Sequence, residues 1–407
     1  MRIIIVGGSI AGVNAALACR QEYPNAQITL IEQQAHLGHL PRELFFSLEQ
    51  QQFTSHELVL QEEINKTYQI EVFLETKCER LRDHEVELSD TTRLPFDKLI
   101  IATGSTQRSR LAGTHETFQT QWLYKSVKDQ HEIYNKIKQA SSIAIVGAGA
   151  VGISFASALA KQEKKITIYE RNERPLARYF DEDMTPILTR FLQANQMDCL
   201  FGQAVEQITP TEKGYQVTTA NTTQSADLVL LAVNTRPETQ ELTTYLAKNT
   251  DGTLWVDDYL QTSQTDVFAI GDAIHVKFRP TKEELYISSI ENARRTAEVV
   301  AKNLHRLIQK DIGSIRPFEG NFFGVDYLSL GLLEQEAIFV DYPVAIKSLK
   351  LTATTFLKIV FHKKTRRLLG LQLVAQEVSI QVKEWAYQGV DDAIVVDEWL
   401  IHLSKMI

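Results

Sequence analysis

An α/β architecture built on two parallel sheets is what this 407-residue sequence predicts. Three observations predict it. A strand–glycine turn–helix–strand–acid unit opens the chain, a second copy follows in mid-chain, and strand segments after the second copy return to the first. The composition agrees, since a hydrophobic content of 44% and a charged content of 23% are those of a soluble globular chain. At this length two or three domains are expected. The net charge of −8 argues against nucleic acid as a partner, because phosphate binding needs clustered Lys and Arg. No apolar run approaches the ~20 residues that span a bilayer. The opening residues MRIIIVGG enter a strand at once, so no signal peptide is expected. Cys19, Cys78 and Cys199 are scattered. Their spacing excludes a disulfide framework and a cysteine zinc site, and a reducing cytoplasm is the expected compartment.

The first unit starts with RIIIV (2–6), a β-branched run of the kind found in buried parallel strands. GGSIAG follows, with Gly7 and Gly12 as the first and third glycines of a dinucleotide turn and Gly8, Ser9, Ile10 and Ala11 between them. Gly7 permits the tight turn, and Gly12 lets the helix pack close to the sheet. The helix VNAALACRQEY comes next, then a strand, QITLIE, ending on Glu32. Free N–H groups at the helix start suit a pyrophosphate, and Glu32 can accept ribose hydroxyls. The second unit repeats each part: strand SIAIV, turn GAGAVG with Gly147, Gly149, Ala150, Val151 and Gly152, helix ISFASALAKQ, and strand KITIYE ending on Glu170. A lone glycine motif is weak; two whole units with matching spacing and terminal acids are strong. An acid at the strand end favours a free 2′-hydroxyl, hence NADH over NADPH, although Arg171 and Arg174 nearby complicate that preference. FDKLIIATGS (96–105) reads as a strand running into an Ala102-Thr103-Gly104 turn. TDVFAIGDAI (265–274) reads as a strand ending at Gly271-Asp272, with a helix able to start just after the aspartate. Asp272 can accept a hydrogen bond from a polyol chain.

In this order and spacing, GGSIAG…E, IIATG, GAGAVG…E, LAVNTRP and FAIGD resemble the FAD- and NAD-dependent pyridine nucleotide–disulfide oxidoreductases. FEGNFFGVDYLSLGLLEQEA (318–337) and LKIVFHKKTRRLLGLQLVAQE (357–377) resemble the dimerisation domain of the NADH oxidase, NADH peroxidase and coenzyme A-disulfide reductase branch. The resemblance implies α/β with two Rossmann-like dinucleotide-binding domains, the NAD domain inserted in the FAD domain, plus an α+β C-terminal domain. It implies an FAD domain at 1–112 and 241–312, an NAD domain at 113–240, and a dimerisation domain at 313–407 that pairs two subunits. FAD would meet Gly7 to Gly12, Glu32, Arg42, Cys78, Ala102 to Gly104, Gly271 and Asp272. NADH would meet Gly147, Gly149 to Gly152, Glu170 and Asn234.

That branch carries a redox cysteine after the second strand of the FAD domain, and its oxidases and peroxidases carry a histidine in the first glycine turn. The resemblance puts Arg42 at the cysteine position, within HLGHLPRELF (36–45), and Ile10 at the histidine position. Arginine cannot cycle between thiolate and sulfenic acid. Cys19 falls within a helix, Cys78 on a strand that the resemblance brings near the adenine end of FAD, and Cys199 in the NAD domain; all three read as packing residues. Arg42 has two readings: a fixed charge that stabilises reduced flavin or holds an anionic substrate, or an ion pair with Glu43 or an FAD phosphate. His36 and His39 read as turn residues at the surface. Ala150 stands where relatives often have a tyrosine, and Asn234 where they have a glycine. Glu291 stands where they often have threonine, and reads either as a carboxylate near the flavin or as a solvent-facing one. KKTRR (363–367) reads as a hairpin tip. Residues 56–68 read as a packing helix.

The expected function is hydride transfer from NADH to FAD, with reoxidation by dioxygen, a quinone or another small electron acceptor and no cysteine intermediate. Two alternatives stand beside it: an electron-transfer reductase for a ferredoxin or rubredoxin, and a degenerate FAD- and NADH-binding sensor or scaffold.

Overall fold

The structure, a computed structural model, describes residues 1–38, 43–53, 61–107, 127–233, 235–239, 242–352 and 354–405. Its organising element is a five-stranded parallel sheet in the order Val267–Ala269, Lys98–Ile101, Arg2–Val6, Gln27–Ile31, Glu71–Phe73. Ile3, Ile4, Ile5 and Val6 in its central strand are all buried, which is why the sequence reads there as an unbroken apolar run. A strand with both faces covered has no reason to alternate.

A second parallel sheet has the order Asp198–Phe201, Lys165–Glu170, Ser142–Val146, Leu228–Leu231. It repeats four strands of the first in the same spatial order. The repeat extends further than the parallel strands. Between the third and fourth strands of each sheet lies a three-stranded antiparallel sheet, Cys78–Arg82 with Glu85–Leu88 and Arg93–Pro95 in the first case, and Val205–Thr211 with Gly214–Thr219 and Thr223–Ala226 in the second. The fifth strand of the first sheet, Val267–Ala269, comes from beyond the second unit, so the second is inserted in the first. Where the chain leaves and re-enters, Ser105–Gln107 and Thr235–Pro237 pair antiparallel.

The C-terminal region is a five-stranded antiparallel sheet, ordered Phe318–Phe322, Val325–Gly331, Leu368–Ala375, Phe356–His362, Val344–Lys350. The helices Ile380–Asp391 and Val396–Leu403 bury Val382, Ala386, Val390, Val396 and Trp399 in its core cluster. KKTRR is the exposed turn between two of these strands, and its Arg366 forms a two-bond ion pair with Asp397. Within 56–68, the structure describes a helix at Gln61–Tyr68 that buries Ile64.

One expectation fails. No helix starts just after Asp272. Gly271–Ala273 is a single 3₁₀ turn, followed by a hairpin of Val276–Phe278 and Glu283–Leu285, and the helix begins at Ile290. The alternation of VKF and the turn residues Arg279 and Pro280 favour the hairpin. The Ser289 hydroxyl accepts from the Asn292 N–H and sets the later start.

Candidate cofactor sites

Each glycine turn is dictated by contact. Gly7 has φ +106°, and a Cβ there would lie 2.3 Å from the Ala102 carbonyl oxygen. Gly147 has φ +105°, and a Cβ there would lie 2.5 Å from Val233 Cγ1. A Cβ on Gly12 would sit 1.7 Å from the Gly7 carbonyl oxygen, and one on Gly152 would sit 1.8 Å from that of Gly147. No side chain fits at such distances, so the third glycine lets the helix approach the turn.

The strand-end acids bind back to these turns. Gly8 N–H donates to Glu32 Oε2 at 2.6 Å and Gln34 N–H to Oε1 at 2.8 Å. In the second unit Ala148 N–H donates to Glu170 Oε2 at 2.7 Å. Both the backbone and the side-chain amide of Asn172 donate to Oε1, at 2.8 and 2.7 Å. Glu32 is 8% exposed; burial pushes its carboxyl up, against the pull of the backbone N–H groups that bind the charged form. The two return loops match as well. Gly38 N–H bonds to the Gly8 carbonyl and Leu176 N–H to the Ala148 carbonyl, both at 2.8 Å, six residues after their acids.

Around the first turn the structure gathers several predicted residues. Ala102 is buried, Ser9 is exposed at the helix start, Ile10 is half-buried, and Ala11 is buried, 2.9 Å from where a Cβ on Gly271 would be. Thr103 Oγ1 is buried with no hydrogen-bond partner, and Gly104, with φ +68°, faces open space. Asp272 Oδ2 accepts the Ser105 and Ser288 hydroxyls, each at 2.6 Å. The Tyr286 hydroxyl is buried beside these two serines, in hydrogen-bonding reach of both. Burial and the Asp272 charge push this phenol up, so it stays protonated. The unpartnered Thr103 hydroxyl beside an open glycine suits a polar ligand, because such a group is costly unless something binds it.

The second turn brings Gly149, with open space where a Cβ would point, together with half-buried Ala150 and Val151 at the helix start. Arg42 and Asn234 lie outside the described residues, as do His39 and Pro41. His36 and Glu291 are exposed, the latter in the first helical turn after Ser289. Ser105, Ser288, Tyr286 and Asn172 are site residues that the sequence reading missed. Asn172 carries a local signal, a side-chain amide two residues after a strand-end acid.

The thiols are inert by environment. Cys19 and Cys78 are buried, and burial pushes both up to about 12. Cys199 is pushed up to about 11, again chiefly by burial. All three are free, and all three are neutral thiols near pH 7. Cys78 lies on the strand where it was expected. Among the described residues no cluster of His, Cys, Asp or Glu could hold a metal ion, and no helix is long and apolar enough to cross a membrane.

The family described as pyridine nucleotide-disulphide oxidoreductase matches residues 1–297. An NADH oxidase of Enterococcus faecalis is 24% identical over 427 aligned residues, covering 98% of this chain and 94% of that protein. The ferredoxin–NAD(+) reductase component of the p-cumate 2,3-dioxygenase system of Pseudomonas putida is 26% identical over 276, covering 67% of each. Among solved structures, the water-forming NADH oxidase from Lactobacillus brevis bound to NADH matches with a TM-score of 0.90 at 22% identity, covering 98% of this chain and 92% of that one, which shows a shared fold.

Proposed function

The chain belongs to the pyridine nucleotide-disulphide oxidoreductase family, an NADH- and FAD-dependent oxidoreductase, and from that premise we propose that it oxidises NADH with no cysteine step. The observation that carries this reading is the state of the thiols: every cysteine is buried or half-buried and held protonated by desolvation. A thiol-disulfide or sulfenic-acid cycle needs a thiolate near neutral pH.

FAD, when bound, supplies a ring that takes hydride from NADH and passes two electrons to an acceptor. The chain's own residues bind and orient. In this reading Gly7 to Gly12 offer the helix N-terminus to the FAD pyrophosphate, and Glu32 takes ribose hydroxyls. Asp272, its Oδ2 held by Ser105 and Ser288, turns its other oxygen toward the polyol chain. Thr103 brings a buried hydroxyl that lacks a protein partner, and Tyr286 a phenol beside Ser105 and Ser288. Gly147, Gly149 to Gly152 and Glu170 do the same for NADH. The domain bounds 1–112 with 241–312, 113–240 and 313–407, a homodimer, and FAD contacts at Arg42 and at the Cys78 backbone and an NADH contact at Asn234 belong to the same proposal.

The acceptor in this reading is dioxygen or another small molecule such as a quinone. With dioxygen the balance is NADH + H⁺ + O₂ → NAD⁺ + H₂O₂. Four-electron reduction to water is disfavoured because that branch uses its cysteine for it. The likeness to a ferredoxin–NAD(+) reductase component supports a second reading, with a ferredoxin as acceptor. The test is anaerobic mixing with NADH while the flavin band is followed, then admission of air. Bleaching, recovery in air and one peroxide per NADH support the oxidase. Slow recovery in air that a ferredoxin accelerates supports the second reading. A chain that binds FAD and never bleaches overturns both.

A further inference from the structure

The return loop after Glu170 is bound to the C-terminal sheet region by a dense set of polar contacts. Arg174 donates to Gln335 Oε1, and Gln335 Nε2 donates to the Ala177 carbonyl at 2.7 Å. Asp181, 3% exposed, accepts the backbone N–H groups of Glu334 and Gln335, each at 3.1 Å. Gln372 meets Asp181 twice, accepting its N–H at 2.7 Å and donating to Oδ2 at 2.5 Å. Lys358, also 3% exposed, reaches Asp183 and Glu334 at 2.6 Å and Asp181 at 3.4 Å. Tyr179 stacks on Phe318, ring centroids 4.2 Å apart.

This loop also forms one wall of the second glycine turn. Leu176 N–H bonds to the Ala148 carbonyl, and Asn172 holds Glu170 Oε1 with two donors. Leu176 is buried with φ +52°, a backbone state that a non-glycine residue rarely adopts. Such a conformation persists when its surroundings over-determine it; Leu176 itself bonds to Ala148, Tyr179 and Phe180, and its neighbours Arg174, Ala177, Tyr179 and Asp181 carry the contacts to residues beyond 313. A buried lysine among three carboxylates contributes little net stability, but it fixes one register between the parts it joins.

We propose that Gln335 and Lys358 are positioning residues for the nicotinamide nucleotide: they hold the loop that orients Glu170 and Ala148, so the C-terminal region sets nucleotide affinity without touching the ligand. This rests on reading the Gly147 turn as the NADH site. The FAD-side turn has its own loop, Glu32 to Gly38, and does not depend on these residues.

The test is calorimetric titration of the purified flavoprotein with NAD⁺, alongside FAD content by absorbance and melting temperature. Gln335→Ala is expected to weaken NAD⁺ binding about fivefold and Lys358→Met about tenfold, with FAD content unchanged. Lys358→Arg is expected to restore binding to within about twofold, because the charge network survives. NAD⁺ affinity unchanged in folded Gln335→Ala protein overturns the proposal, and so does parallel loss of FAD and NAD⁺ binding, which marks a general folding role. If Lys358→Met does not fold, Gln335→Ala decides alone. If the parent itself fails to bind NAD⁺, the assignment of the Gly147 turn falls, and this inference with it.

Discussion

The two glycine units are one device built twice and supported differently. Their first glycines share φ within a degree, their third glycines meet the same carbonyl at almost the same distance, and their acids accept the same turn N–H. Six residues past the acid they part. The first loop makes its left-handed turn with Gly38, φ +66°; the second forces Leu176 into that region. Glycine adopts the conformation freely, whereas leucine must be held there. Beside the first turn lies the orphaned Thr103 hydroxyl, beside the second the latch at Asp181 and Lys358. Similar backbone geometry therefore does not imply similar energetics. The first site is poised to gain from its ligand, and the second is preset by the rest of the chain.

The largest expected effect comes from the third glycines. Gly12→Val or Gly152→Val drives a side chain into backbone that cannot yield, at a cost of about 3 kcal/mol or more. The comparison predicts different losses. Gly12→Val should purify without flavin, judged by its visible spectrum. Gly152→Val should keep FAD and lose bleaching by NADH.

The acids come next. Glu32→Gln should weaken FAD binding and Glu170→Gln should weaken NAD⁺ binding, each about tenfold, by equilibrium titration. Glu32 adds a pH signature. Its carboxyl is raised above 4.5, so between 4.5 and the raised value the folded flavin-free protein holds more of this proton than the unfolded chain. Stability from this group is present below 4.5 and declines as pH rises through the raised value. Glu32→Gln should remove that decline in melting curves of flavin-free protein.

Smaller again is the effect of the orphaned Thr103 hydroxyl. Thr103→Val deletes a buried group with no protein partner. The flavin-free protein should be unchanged or steadier by about 1 kcal/mol, while FAD dissociates a few-fold faster. Loss of stability without faster FAD release would show that this hydroxyl faces a protein partner instead.

Much of this was legible in the sequence because local rules and the fold agree there. The glycine turns, the apolar strands and the acids Glu32 and Glu170 are set by contacts within short stretches of chain. Leu176 was not legible, since nothing about a leucine announces a left-handed backbone imposed by packing. The Lys358 cluster was hidden for another reason. Its carboxylates at 181 and 183 lie far away in sequence, and the local trace was a lysine inside the apolar strand FLKIVFH. The helix that Asp272 suggested begins only after the cap at Ser289, because the intervening stretch pairs as a hairpin that its short alternation signals only weakly.

The central claim is that electrons leave this protein without passing through sulfur. The direct measurement is a variant with Cys19, Cys78 and Cys199 all changed to Ala, reduced anaerobically with NADH and then mixed with air. Bleaching and reoxidation rates within about twofold of the parent are expected, since these thiols are buried or half-buried and protonated. A variant that retains FAD and is bleached by NADH, yet no longer passes its electrons on to an acceptor that reoxidises the parent, would contradict it.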